Sequence, residues 1–215
     1  MDCCEPTIYD DQFDARHAKD RLREYRERGP NGWTVRLVDG LAAGGVAGLT
    51  VLDIGAGVGA VHHALLAAGA ASAIDVDASG AYLEAARAEA DRRGLADRVS
   101  YHKGDAVTVV PDLPAADLVA LDRVVCCYPH MEALVRVAAD KTRRRLGMVL
   151  PRDDAWVRAG VTVSNGWSAL WRDPFRVHVH RTARVLQVAA AGGLTLAASH
   201  RGYFWQTLIL ERTAG

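Results

Sequence analysis

The chain has 215 residues, enough for one α/β domain with little left over for a second. Half of the residues are hydrophobic and 24% are charged, with 26 Lys+Arg against 26 Asp+Glu, so the chain lacks the basic excess that a nucleic acid partner calls for. No run approaches the ~20 apolar residues of a membrane helix, and the acidic start Met1-Asp2-Cys3-Cys4-Glu5 has no apolar stretch, so neither a membrane partner nor a signal peptide is expected and the protein reads as cytoplasmic.

Residues Gln12 to Arg28 form a polar helix with Ala18, Leu22 and Tyr25 on one stripe, stopped by Gly29-Pro30-Asn31-Gly32. A second helix covers Thr34 to Leu41. Residues 1–45 read together as an N-terminal helical lid, with Tyr9, Phe13 and Arg16 placed to fold over a ligand. A regular alternation follows: strand Leu49–Ile54, helix Val58–Ala68, strand Ala71–Ile74, helix Ser79–Arg93, strand Val99–His102, strand Asp117–Leu121, helix Met131–Ala139 and strand Leu146–Leu150. The run Arg143-Arg144-Arg145 reads as a solvated helix end before that last strand. Strands alternating with helices predict a parallel sheet with right-handed crossovers. The end differs: helix Thr182–Ala191 is followed by two close strands, Leu194–His200 and Trp205–Glu211, an antiparallel hairpin closing a seven-stranded sheet. Residues 152–181 hold Trp156, Trp167, Trp171 and Phe175, and read as an insertion over the carboxyl edge of the sheet, where such folds bind ligands.

The strongest motif is Asp53-Ile54-Gly55-Ala56-Gly57-Val58-Gly59. Glycines after a strand allow a tight turn and let a ligand approach bare backbone at a helix N-terminus. Gly55, Gly57 and Ala60 also satisfy the dinucleotide pattern, so the loop alone leaves NAD open. Three features favour S-adenosylmethionine. Asp53 opposes a pyrophosphate but suits an ammonium. Asp75, ending the second strand with Val76 beside it, suits ribose hydroxyls, as it also would in NAD enzymes. Asp105, in Lys103-Gly104-Asp105-Ala106, suits an adenine amino group. Asp77 is a rival for the ribose, although capping the helix near Ser79 is the role its position favours.

These residues resemble class I methyltransferases from Leu49 onward, through VLDIGAGVG, AIDVD, the GDA turn and the terminal hairpin. The resemblance implies a Rossmann-like fold in one domain, residues 1–215. It implies S-adenosylmethionine as cofactor, S-adenosylhomocysteine as product, and a site in which Asp53, Gly55, Ala56, Gly57 and Gly59 shape the methionine end, Asp75 holds the ribose, and Asp105 with Ala106 borders the adenine.

The acceptor is expected above the fourth strand's end, Leu121-Asp122-Arg123-Val124-Val125-Cys126-Cys127-Tyr128-Pro129-His130. Asp122 sits at the cofactor boundary; it also resembles the metal-binding aspartate of catechol methyltransferases, with Asp153 or Asp154 as a second, but the spacing differs and no metal is expected. Methyl transfer needs a base only for a protonated acceptor, and the candidates are His130, His178, His180 and Tyr128. Arg123 or Arg152 suits a substrate carboxylate. The pairs Cys3-Cys4 and Cys126-Cys127 resemble no disulfide framework and read as reduced thiols; converging, they would suit a trivalent metalloid acceptor. The loops carry some likeness to magnesium-protoporphyrin O-methyltransferases. The sequence therefore reads as a small-molecule methyltransferase with an oxygen acceptor favoured, in a bacterial secondary metabolism; the alternatives are a cofactor-binding protein without turnover, a metalloid methyltransferase and an NAD-dependent oxidoreductase.

Overall fold

The computed structural model describes residues 14–171 and 175–213. Helix α1 (Ala15–Arg28) starts at Asp14, whose carboxylate accepts the His17 N–H at 2.9 Å, and stops at Gly29 with φ 75°. Helix α2 (Gly32–Ala42) is capped by Asn31, which accepts from Trp33 and Thr34. Then come β1 (Thr50–Ile54), α3 (Ala60–Ala67), β2 (Ser72–Asp77), α4 (Gly80–Arg93), β3 (Val99–Lys103), the short α5 (Ala106–Val109), β4 (Ala116–Asp122), α6 (Met131–Asp140) and β5 (Thr142–Pro151). Helices α7 (Ala155–Leu170) and α8 (Thr182–Ala191) precede β6 (Leu194–Arg201) and β7 (Trp205–Arg212).

The seven strands form one sheet in the order β3-β2-β1-β4-β5-β7-β6. The first five run parallel; β7 is antiparallel to both neighbours, inserted between β5 and β6. This is the mostly parallel, Rossmann-like sheet with a closing antiparallel pair that the sequence predicts. One core, with Leu52, Val119, Leu134 and Val185, packs α6 and α8 on one face. The other, with Leu37, Val51, Leu65 and Leu118, packs α2 and α3 on the opposite face. The order in which successive strands are added reverses between β1 and β4, and ligands of open α/β sheets bind at that switch point. Among the described residues no helix is long and apolar enough to cross a membrane.

Two expectations are corrected. Strand β2 runs to Asp77, paired with Lys103 of β3, and does not end at Asp75. The arginine run lies inside β5, where Arg145 Nε bonds Glu211 at 2.8 Å, and is not a helix end. Residues 152–181 contain the 16-residue helix α7.

Candidate active site

A cavity of about 820 Å³ opens at the switch point. Its floor is the β1–α3 loop, where Gly55 and Gly57 adopt φ 65° and 59°. A β-carbon on Gly55 would stand 2.6 Å from Val124 Cγ2, so a bare residue is required for Val124 to close over the loop. Gly55, Ala56 and Gly57 line the cavity, as do Val76 and Asp77 from β2 and Asp105 and Ala106 at the start of α5.

Of the β2 acids, Asp77 rather than Asp75 reaches this cavity. Its carboxylate accepts the Gly57 N–H at 3.0 Å and the Ser79 N–H at 2.9 Å, tying the glycine loop to the end of β2. The cap of α4 is Ser79, which accepts from Tyr82 at 3.3 Å, rather than Asp77. Asp105 caps α5 through the Val107 N–H at 3.1 Å. The Tyr128 hydroxyl donates to both Asp105 oxygens, at 2.7 and 2.9 Å, so Tyr128 lines the cavity with its proton already committed.

Asp53, Asp75 and Gly59 are absent from the lining. Side chains alternate along a strand; Ile54 and Val76 face the cavity, while Asp53 and Asp75 are buried abreast on the other side of the sheet. Asp53 accepts the His62 N–H at 3.2 Å and lies 3.0 Å from His62 Nδ1. Neither oxygen of Asp75 has a hydrogen-bond partner among the described residues, and burial, then the charges of Asp53 and Asp77, pushes its carboxyl well above the usual range. Asp53 and Asp75 thus lie off the cavity, where the sequence expects an ammonium contact for the one and a ribose contact for the other. Gly59 precedes α3 with φ 78°, and a β-carbon there would stand 2.6 Å from the rings of His62 and His63.

The histidines expected as bases also lie off the cavity. His130 is exposed at the start of α6, and His178 and His180 stack at 5.8 Å; none lines the cavity. Burial lowers the pKa of both His178 and His180. They serve as a clasp: the His178 N–H donates to the Cys126 carbonyl at 2.7 Å, and His180 Nε2 lies 2.9 Å from the Tyr128 carbonyl. Asn165 of α7 bonds both the N–H and the carbonyl of Val177, at 3.0 and 2.7 Å, fixing this segment under α7.

The wall at the end of β4 carries Asp122, Arg123, Cys126 and Cys127. Asp122 accepts the Thr34 hydroxyl at 2.5 Å and Arg123 Nε at 3.1 Å. The two thiols are 3.9 Å apart; the hydrogen bond with Cys126 lowers the Cys127 pKa against burial, helped by Arg123. Cys3, Cys4, Tyr9 and Phe13 lie outside the described residues. Arg152 donates to the Gly202 carbonyl at 2.8 Å and forms an ion pair with Asp154 at 2.6 Å, Asp153 holds the Thr182 N–H and hydroxyl, both at 3.0 Å, and none of the three lines the cavity.

The aromatic end differs from expectation. Of the named aromatics only Phe175 lines the cavity; Trp156, Trp167 and Trp171 point outward, the last two at 66% and 73% exposure. Phe204 and Trp205 at the β6–β7 turn join Phe175 on the lining, a signal available in the run Tyr203-Phe204-Trp205. Helix α7 contributes Gly160, Val161 and Ser164. From the N-terminal side come Arg21, Tyr25 and Arg28 of α1 and Thr34 of α2. Helix α1 is seated by Glu89 of α4, a buried carboxylate bound by Arg26 of α1 and by Arg92 and Arg93; burial opposes ionisation, but these guanidiniums hold it down at about 2.

Residues 51–150 match the family described as a methyltransferase domain. The chain is similar in structure to a magnesium protoporphyrin IX methyltransferase from Synechocystis PCC 6803 solved with bound S-adenosylhomocysteine, with TM-score 0.75 and 22% identity over 97% of this chain and 99% of that one. An O-methyltransferase family protein from Burkholderia thailandensis gives 0.72 and 18% identity over 95% of this chain and 62% of that one. A 4+2 cyclase gives 0.65 and 14% over 84% of this chain and 80% of that one, so the fold hosts more than one chemistry. No curated protein matches the chain.

Proposed function

We propose that the chain, whose residues 51–150 match a methyltransferase domain family, is an S-adenosylmethionine-dependent enzyme of the class I kind that moves the methyl group to a heteroatom, oxygen favoured, of a flat small molecule. The observation that carries this reading is one continuous cavity. It joins a bare glycine loop flanked by two carboxylates to an end lined by Phe175, Phe204 and Trp205. The residues present fit the cofactor. Gly57 leaves room that only the Tyr82 ring approaches, at 3.7 Å from a β-carbon built there. Asp77 and Asp105 both line the cavity and offer carboxylate acceptors of the kind that ribose hydroxyls and an adenine amino group need.

S-adenosylmethionine supplies an already activated methyl group, so the protein's task is alignment. In this reading Gly55, Ala56 and Gly57 hold the methionine end, Asp77 the ribose, and Asp105, oriented by Tyr128, with Ala106 and Val76, the adenine. Asp122, pinned by Thr34, separates cofactor from acceptor. The histidines lie off the cavity, so the acceptor is one that arrives nucleophilic or gives its proton to solvent. Residues 14–42 and 152–181 serve as covers over a single catalytic domain, and the acceptor belongs to bacterial secondary metabolism.

The test uses methyl-labelled S-adenosylmethionine, purified protein and a small-molecule extract of the host. Label in a new low-mass product is expected, and its mass gives the acceptor class. Failure of S-adenosylhomocysteine to bind in calorimetry overturns the reading.

A further inference from the structure

Arg123 is the one non-glycine residue among those described with positive φ, at 63°. A residue with a long side chain resists the left-handed region, and such a backbone persists where the surroundings over-determine it, most often at a working site. Three contacts hold it here. Its N–H donates to the Val149 carbonyl at 3.0 Å, and its carbonyl receives the thiols of Cys126 and Cys127 at 3.3 and 3.5 Å. Its guanidinium lies against Asp122, Nε to Oδ1 at 3.1 Å and Nη2 to Oδ2 at 3.2 Å, while the Thr34 hydroxyl fixes Asp122 from the other side.

A guanidinium is a planar fork with two edges, each able to take a carboxylate. Asp122 occupies the Nε/Nη2 edge. The second edge, Nη1 with the outer Nη2 hydrogen, has no partner among the described residues. Arg123 lines the cavity with 36% of its side chain accessible, beside the two thiols and short of the aromatic end. Its charge is aimed by Asp122 rather than free to wander, so a second carboxylate meets a pre-set donor pair. Arg28 lines the same cavity with no ion pair among the described residues and adds positive charge that offsets Asp122. The other strand-end arginine of the sequence, Arg152, is spent on Asp154 and the Gly202 carbonyl and stays off the lining.

We propose that the free edge of Arg123 anchors a carboxylate carried by the methyl acceptor. The acceptor is then amphipathic: a carboxylate at the end of β4 and an apolar body against Phe175, Val177 and Trp205. This rests on the methyl-transfer reading for the identity of the ligand as acceptor, and the binding of the acid is tested independently of it.

The probes are benzoate, trans-cinnamate and indole-3-acetate, each against its carboxamide, titrated by calorimetry and ligand-observed NMR with and without S-adenosylhomocysteine. At least one acid is expected to bind about tenfold more tightly than its amide, the scale of a charge-assisted bidentate contact. Arg123→Lys keeps the charge without the fork and is expected to lose most of that preference. Arg123→Asn suits the left-handed backbone without charge; it is expected to abolish the preference while the cooperative melt is retained. Equal binding of acids and amides, no acid binding up to about 10 mM, or a preference surviving in Arg123→Asn overturns the proposal. Loss of cofactor binding or of label transfer bears on the methyl-transfer reading alone, because the selectivity is also read without cofactor.

Discussion

Replacing Asp77 separates the cofactor assignment from its neighbours in sequence. Each oxygen of its carboxylate holds one backbone N–H, Gly57 at 3.0 Å and Ser79 at 2.9 Å, and the side chain lines the cavity. In the proposed reading a vicinal diol bonds the same carboxylate. A hydrogen bond to a charged group contributes about 1.5–3 kcal/mol, so losing two ribose contacts lowers cofactor affinity by about two to four orders of magnitude. Asp77→Asn keeps the shape but leaves one acceptor oxygen, with the amide nitrogen facing a backbone N–H, donor against donor. It is expected to lose nearly as much affinity for S-adenosylhomocysteine as Asp77→Ala. Calorimetry gives the affinities, and a thermal melt confirms that both variants fold. A 2′-deoxy analogue sharpens the readout: the wild-type protein prefers the ribose form, and the variants do not. A dissociation constant within about threefold of wild type in both folded variants (under 0.7 kcal/mol, well below one such bond) refutes the assignment.

The buried Asp75 is expected to behave in the opposite way. Its pKa is raised, so its folded form holds a proton that the unfolded chain releases near 3.8, and the stability tied to it falls as pH rises through that value toward the folded pKa. Asp75→Asn should therefore gain on wild type in melting temperature between pH 4 and pH 7 without losing cofactor affinity; a difference that is flat with pH contradicts the account. His63 is lowered to about 3 by burial first and by His62 next. Its contribution is present above pH 6.5 and lost as pH falls from there toward 3, so His63→Leu should flatten the acid side of the stability curve, and parallel curves for variant and wild type would speak against it. Gly55→Ala combines φ 65° with a β-carbon 2.6 Å from Val124; the left-handed alanine and the overpacking together should remove about 2–4 kcal/mol in denaturant unfolding.

The parts of the site legible in the sequence are those whose chemistry is local. The glycine loop announces itself because turn, bare backbone and helix start fall within seven residues, Asp53 to Gly59. The acid two residues from the expected one shows where this stops. Asp75 and Asp77 are both reasonable ribose ligands by spacing, and the choice depends on where β2 ends. That end is set by pairing with β3 as far as Asp77↔Lys103, a partner in another segment. Asp53 lies off the cavity for a related reason: strand alternation says that it and Ile54 face opposite sides, but not which side holds the cavity. The histidines repeat the pattern. That His178 and His180 share a face is readable, and their rings do stack, but the amide of Asn165, 12 residues back, turns the segment so that both lie off the cavity. In α7 the composition suggests an aromatic wall, yet the helix buries Val157 and Val161 and turns Trp167 outward, since rotation is fixed by what the inner face packs against. The acceptor end is thus assembled from four separate pieces: the loop after β4, α7, Phe175 with Val177, and Phe204 with Trp205. No one of them carries a spacing rule, so cofactor chemistry is legible in order along the chain, whereas acceptor chemistry exists only once the pieces are brought together. Arg123 bridges the two regimes: its place after β4 is readable from sequence, but the left-handed backbone and the half-filled fork that give it a role appear only in the fold.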